Sequence, residues 1–392
     1  MTWSLAQTLR RLAAPVLAGF AFAVGVAAQE PRATVTETQR RATLAAARAL
    51  TDDALSALLP RAEAGEVETQ VLVALALESR SGEKNRAAAV AWFQRAAGAG
   101  HPMALDALAS YHTTGVVVAR DRARAIALRQ QAAESGYASA QNQLGVAYHL
   151  GDGVPTNPQT AVAWYRRAAE QGHIDGQNNL AGAYDTGLAG RVDHTEAARW
   201  LRRAADQGDA QAQFNLGIAY CVGEGVAERR DDCRAWLKRA SDQGYAAATF
   251  YLAKDHAEHS FVAGPFAQAV ADDYFAKSAT QGYALGAVVL ARRSRARTEA
   301  CRWLLVASAL ESRADWRGGW TTRRPWDAEE VRKELARRLK DARKGLTPEQ
   351  VNTCEREAQG FVAQADATIT ALRLQREALP ADERGPERPA VP

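Results

Sequence analysis

Five glycines, Gly100, Gly136, Gly172, Gly208 and Gly244, stand 36 residues apart without drift, with Gly65 before the series and Gly282 after it. A constant period of this length constrains a chain more than its composition does. One supersecondary unit repeats, and each copy buries its apolar face against its neighbours. The columns of the period show what the unit is. Leu108, Leu144, Leu180, Leu216, Leu252 and Leu290 share one column, and a small residue follows each: Ala109, Gly145, Ala181, Gly217, Ala253, Ala291. Ala89, Ala125, Ala161, Ala197, Cys233 and Ala271 share a second. Three residues on comes a bulky column, Trp92, Leu128, Trp164, Trp200, Trp236 and Tyr274. Four further on stand Ala96, Ala132, Ala168, Ala204, Ala240 and Ser278. Spacings of three and four mark amphipathic helices, so each unit is a pair, A then B. Small columns let backbones approach closely, while Leu and Trp fill the wider gaps. On that reading Leu144→Ala or Trp164→Ala costs roughly 2–5 kcal/mol.

The A–B connections read Gly151-Asp152-Gly153-Val154-Pro155 in one unit and Gly223-Glu224-Gly225-Val226 in another. Glycine there permits positive φ after the helix end. Taken in order, these residues form A-x-x-x-L-G-x-x-Y-x-x-G-x-G-V followed by A-x-x-W-x-x-x-A-A-x-x-G. The pattern resembles the Sel1-like repeat family, a relative of the tetratricopeptide repeats. The resemblance is strongest from Tyr137 to Gly244 and spans residues 65–310, about six to seven units. It fades after Tyr245, where Lys254-Asp255-His256 displaces the expected tyrosine. It implies an all-α fold, an α-solenoid of tandem two-helix hairpins closed by helical caps, and a partner that is another protein.

Outside the array, residues 1–28 read as a signal peptide. Arg10 and Arg11 precede an apolar stretch from Leu12 to Val26, and Val26-Ala27-Ala28 offers a small-residue cleavage site. The mature chain is therefore expected in the periplasm, with secretion as the alternative. Residues 29–64 read as an N-terminal capping helix, 311–378 as a loop and C-terminal capping helices, and 379–392 as a disordered tail rich in Pro, Glu and Arg. Asp327-Ala328-Glu329-Glu330 and Thr347-Pro348-Glu349-Gln350 both have the composition of helix starts.

Four cysteines in an exported chain permit three pairings. Cys221 ends a helix A and Cys233 begins the following helix B, while Cys301 opens the last B helix and Cys354 lies on a helix of the expected C-terminal cap. Placement favours 221–233 and 301–354; the alternative leaves Cys233 and Cys354 as small core residues. No C-x-x-C spacing occurs, so no metal site is expected. Net charge is +4 and falls to +2 once Arg10 and Arg11 are removed. The basic run from Arg292 to Arg297 reads as a solvated turn or as a contact for an acidic surface. No nucleic-acid face and no membrane span is expected beyond the leader.

Catalytic patterns fail on context. Ser81-Gly82-Glu83-Lys84 fits S-x-x-K but lacks its K-T-G and S-D-N companions. His256 and His259 lack the zinc-peptidase order. No cofactor and no enzymatic activity is expected. By analogy with tetratricopeptide arrays, recognition falls to the concave A-helix positions that vary between units. Those are Asp106, Ser110, Asn142, His149, Asp175, Asn178, Asp185, Gln211, Phe214 and Ile218. The amides suit a peptide backbone, the carboxylates a cationic group and Phe214 an apolar anchor. Three functions remain open at this point: an exported scaffold or regulator that binds an envelope protein as a monomer, a secreted factor acting on a host or rival cell, and an envelope hydrolase or metal-dependent enzyme.

Overall fold

A computed structural model of the chain describes residues 35–80, 82–188, 190–259, 265–311 and 328–377. The proposed leader, Ser81, the loop at 313–325 and the proposed tail lie outside these residues. Eighteen helices, and no strand, occur among the described residues. The first two, α1 (Glu37–Ala49) and α2 (Asp52–Glu63), stand where one capping helix was expected. Leu50 and Thr51 separate them, and the Thr51 hydroxyl caps α2 by accepting from the Ala54 amide.

Seven hairpins follow, each packed against the next. They are α3 (Val67–Glu78) with α4 (Glu83–Gly98), α5 (Pro102–Thr114) with α6 (Arg122–Glu134), and α7 (Ala138–Leu150) with α8 (Pro158–Glu170). Then come α9 (Ile174–Thr186) with α10 (His194–Asp206), α11 (Ala210–Val222) with α12 (Arg230–Asp242), α13 (Ala246–His259) with α14 (Pro265–Thr280), and α15 (Ala284–Arg293) with α16 (Arg297–Glu311). Two last helices, α17 (Ala328–Arg343) and α18 (Pro348–Glu377), pack on α16. The start of α18 has the expected reciprocal cap. The Gln350 amide donates to Thr347 Oγ1 at 3.3 Å, and the Thr347 amide donates to Gln350 Oε1 at 2.9 Å.

The period is enforced at the B-helix ends. Gly100, Gly136, Gly172, Gly208 and Gly244 have φ from +83° to +96°, a region in which a Cβ is unfavourable. Beyond each, the next amide reaches back five residues to the alanine column, as in Tyr137 N to Ala132 O and His173 N to Ala168 O, both 3.1 Å. This is a Schellman closure. At the other end of each hairpin one backbone bond closes the A–B loop. Asn157 N donates to Tyr148 O, Asp193 N to Tyr184 O, and Arg229 N to Tyr220 O, at 2.8–3.0 Å. The side chains of Asp121, Asn157 and Asp193 then cap the B helices.

The leucine column is buried as expected: Leu144 is 1% exposed and Leu180 and Leu216 are wholly buried. Gly145 is small because Tyr165 lies against it; an added Cβ would overlap that ring. In the tryptophan column Trp200 and Trp236 are buried but Trp92 and Trp164 only half-buried, and Tyr165 rather than Trp164 fills the core of its unit. The outer faces of the tryptophans carry arginines three residues on. Arg95, Arg167, Arg203 and Arg239 lie 4.4–4.6 Å from the rings of Trp92, Trp164, Trp200 and Trp236, where each cation meets the negative ring face. In the one unit with Leu128 in that column, the matching residue is Gln131.

A feature the sequence reading did not use joins the units. Gln141, Gln177 and Gln213 donate to the carbonyls of Ala133, Ala169 and Ala205 at 3.1–3.2 Å. Their own side-chain oxygens accept from Gln171, Gln207 and Gln243, at the B-helix ends of their own hairpins, at 2.7–2.9 Å. Both sets recur at the 36-residue period, so the signal was present in the sequence.

The structure pairs Cys221 with Cys233 and Cys301 with Cys354, with Cα separations of 5.1 and 6.1 Å. The first closes the α11–α12 loop, and the second ties α16 to α18. No described helix is long and apolar enough to cross a membrane.

Candidate functional site

The A-helix face divides according to what lies on it. Over the first units it is covered by α1. Leu44 joins the core formed with Val71, Met103 and Tyr137. Arg40, held by Glu37 through bonds of 2.6 and 2.8 Å, is 2% exposed. Arg41 reaches Gln207 Oε1 at 3.2 Å. Thus α1 runs from α3 past Asp106 and Tyr137 to His173 and the end of α10.

This seat is electrostatically tuned. Burial pushes the Asp106 carboxyl up, against the pull of Arg129, 3.7 Å away, and of Arg40. Ser139 Oγ donates to Asp106 Oδ2 at 2.7 Å. Burial, aided by the positive charge of Arg40, lowers the His173 imidazole to about 4. Its Nδ1 is therefore free to accept from the Gly176 amide at 3.2 Å and cap α9. Burial alone would raise Glu37, but Arg40 holds it below the usual carboxylate range.

Three of the expected contact residues are therefore not open to a partner. Asp106 is 6% exposed, for the reason just given. Asn142, 2% exposed, accepts from Asn179 Nδ2 at 2.8 Å. Phe214, also 2% exposed, is not an anchor but a core ring, 5.2 Å from Tyr245 and 5.5 Å from Tyr251. The others are accessible to differing degrees. Ser110 is exposed and donates to Asp106 O at 3.2 Å. His149, half-buried and lowered by that burial, lies 3.3 Å from Tyr165 Oη. Asp175, Gln211 and Ile218 are half-buried, and Asn178 Nδ2 donates to Asp209 Oδ1 at 2.9 Å. Asp185 Oδ1 lies 2.8 Å from His194 Nδ1. The half-open stretch is thus centred on Asp175, Asn178 and Gln211, next to where α1 ends.

Among the described residues neither remaining sequence motif assembles a site. His256 stacks on Tyr274 at 5.5 Å, and its neighbour Asp255 is bound by Arg230 and Arg234; the His259 side chain lies outside the described residues. Within the basic run, Arg293 pairs with Asp272 at 2.7 Å and Arg297 donates to the Lys344 carbonyl. That run is partly consumed in holding the C-terminal cap. A grouping that sequence spacing did not reveal brings Asp185, His194 and Glu224 together, with ligand atoms all within 4.8 Å.

Tandem hairpins with glycine-closed B helices, each stacked on the next, define the class: an α-solenoid of helical repeats. The Sel1 repeat model matches five successive units, at 70–101, 102–137, 138–173, 174–209 and 210–245. The chain therefore carries five Sel1 repeats, and proteins built from such repeats are in general protein–protein interaction scaffolds. Among solved structures it is similar to a Sel1 repeat protein from Oxalobacter formigenes, at 22% identity, over 62% of this chain and 92% of that one, with a TM-score of 0.48. It is also similar to a protective antigen of uropathogenic Escherichia coli displaying an SLR fold, at 23% identity, over 83% and 84%, TM-score 0.40. An immunity protein from Pseudomonas aeruginosa matches at 21% identity, over 61% and 81%, TM-score 0.34. The comparison with curated proteins gives no match.

Proposed function

We propose that this chain is an exported, non-catalytic scaffold or regulator of the cell envelope, acting as a monomer in the periplasm and binding another protein through its A-helix face. One observation carries the reading. Along the A helices, Asp175, Asn178 and Gln211 are polar, differ from unit to unit and remain half-exposed, while the recurring columns around them are spent on packing. Residues that vary within an otherwise constant lattice are the ones free to be shaped by a partner. Since α1 fills the earlier part of the same face, the stretch from α9 to α11 is the part we assign to the partner.

The test is capture of periplasmic proteins by the full chain and by an Asp175→Lys, Gln211→Glu variant, after confirming that the two melt alike. A discrete set of proteins held by the parent and lost by the variant is the expected result. Capture of the same set by both would remove the A-helix face as the binding surface. Recovery of the chain from the cytoplasm alone would remove the export half of the reading.

A further inference from the structure

We propose that Asp185, His194 and Glu224 bind one divalent transition-metal ion of the zinc class on the loop edge of the array. The three come from two adjacent units. Asp185 is in the last turn of α9, His194 is the first residue of α10, and Glu224 follows Gly223 just beyond α11. Their ligand atoms lie within 4.8 Å of one another, and His194 Nδ1 and Asp185 Oδ1 are 2.8 Å apart. Two donors each about 2.1 Å from a shared ion and that far apart would subtend about 85°, an angle of five- or six-coordinate geometry completed by water rather than of the closed zinc tetrahedron. One imidazole and two carboxylates suit zinc and its neighbours better than calcium or magnesium, which favour oxygen alone. Three protein donors leave positions for water or for a donor from elsewhere.

The repeat itself supplies an internal comparison. Two units upstream, the positions of His194 and Glu224 are held by Arg122 and Asp152, an ion pair at 3.0 Å. The position of Asp185 is there Thr113. The same joint has therefore lost its fixed positive charge and gained a carboxylate. Neighbouring arginines do not replace it: Arg191 pairs with Asp193, Arg199 with Glu196, and Arg230 with Glu228 and Asp255. The C-terminal ends of α9 and α11 add partial negative charge, while the N-terminus of α10 opposes them. The balance calls for a cation.

The donors are also held in place. Gly225 has φ +69°, and its Cα lies so close to the His194 carbonyl that an added Cβ would overlap it. The Asp193 amide bonds to Tyr184 O at 2.9 Å, tying the start of α10 to the turn that carries Asp185. Cys221 and Cys233 close the loop that bears Glu224.

The experiment uses the full chain, stripped with chelator, in calorimetric titrations with zinc, calcium and magnesium chlorides, alongside thermal melts. Two variants accompany it: Glu224→Gln, and His194→Arg, which restores the ion pair seen at Arg122 and Asp152 and so guards against misfolding. One equivalent of zinc is expected to bind and raise the melting temperature. Either variant should weaken binding at least about tenfold and abolish the shift, with the metal-free melt unchanged. Absence of zinc binding, or binding that both variants retain, overturns the proposal by assigning any ion to other histidines. Tighter binding of calcium than of zinc overturns the class of metal. None of these outcomes depends on whether the A-helix face holds a protein.

Discussion

Between Tyr137 and Tyr245 neighbouring hairpins are joined by amides; beyond Gly244 they are joined by rings. In the first stretch each joint has a glutamine bonded both to the preceding B helix and to the next glutamine. In the second, Thr249 holds the corresponding place, sharing hydrogen bonds of 2.7 Å with Ser241 and Gln281. Here Phe250 takes over the joint, lying 5.2–5.8 Å from Tyr251, Phe275 and Tyr283. The hairpins stack alike in both stretches, yet the Sel1 repeat model stops at residue 245. The stacking is therefore set by the small columns and the glycine closures, which persist, and not by the particular side chains that bridge the units. Amides fix register because they are directional, whereas rings supply area with looser orientation.

Phe214 sits at the border and is the place to test that contrast hardest. Its truncation to alanine empties a buried ring site against Tyr245 and Tyr251 and should cost about 3–5 kcal/mol in urea unfolding. A loss below about 1 kcal/mol would show that the rings do not hold this joint. The cysteine pairs come next. Cys301 and Cys354 are 53 residues apart and tie the ring-joined stretch to α18, so replacing both with serine should cost roughly 2–4 kcal/mol. The Cys221–Cys233 pair closes a separation of only 12 and should cost about 1 kcal/mol less. Equal losses would mean that the caps, not loop length, govern the effect.

A third test concerns pH and acts on the amide-joined stretch alone. His173 has an imidazole lowered to about 4 in the fold, against an ordinary value of 6.5. The unfolded chain therefore takes up its proton first as pH falls. Stability is complete above about 6.5, declines from there toward 4, and levels off below. The loss should reach about 1–2 kcal/mol between pH 6.5 and 5. His173→Asn retains an acceptor at the start of α9 and should flatten that slope, measured by melts at both pH values. A slope unchanged in the variant would place the titration elsewhere.

What the sequence made readable follows the same division. Leu144, Ala168 and Gly172 were legible because every copy of the unit imposes the same demand on them. The seat of α1 was not: Glu37, Arg40 and Arg41 occur once, and nothing in their spacing pairs them with Asp106, His173 or Gln207. Phe214 was misread for a related reason. Its position in the unit is one that can face outward, but its burial is decided by Tyr245 and Tyr251 of the next unit. Asp185, His194 and Glu224 meet only because the loop after α11 folds onto the start of α10, a contact between units that no single unit encodes. The glutamines were legible and went unused, since a polar residue at a helical joint reads as solvated until its partners at the ends of the flanking B helices are known.

The smallest effect is the most discriminating. The place of Gln213 is held, three units upstream, by Leu105, which is 4% exposed, so leucine fits the joint sterically. Gln213→Leu removes the bond to Ala205 O and leaves the Gln243 amide with only its 2.9 Å bond to Gly208 O. The cost should be about 1 kcal/mol. Replacing Gln243 as well removes the other half of the broken pair, so the double variant should lose less than the sum of the two single losses, because the bond between the two amides is counted once. Additive losses in the double variant would instead show the amides contributing independently, and the joint would then be no ladder but a row of separate bonds.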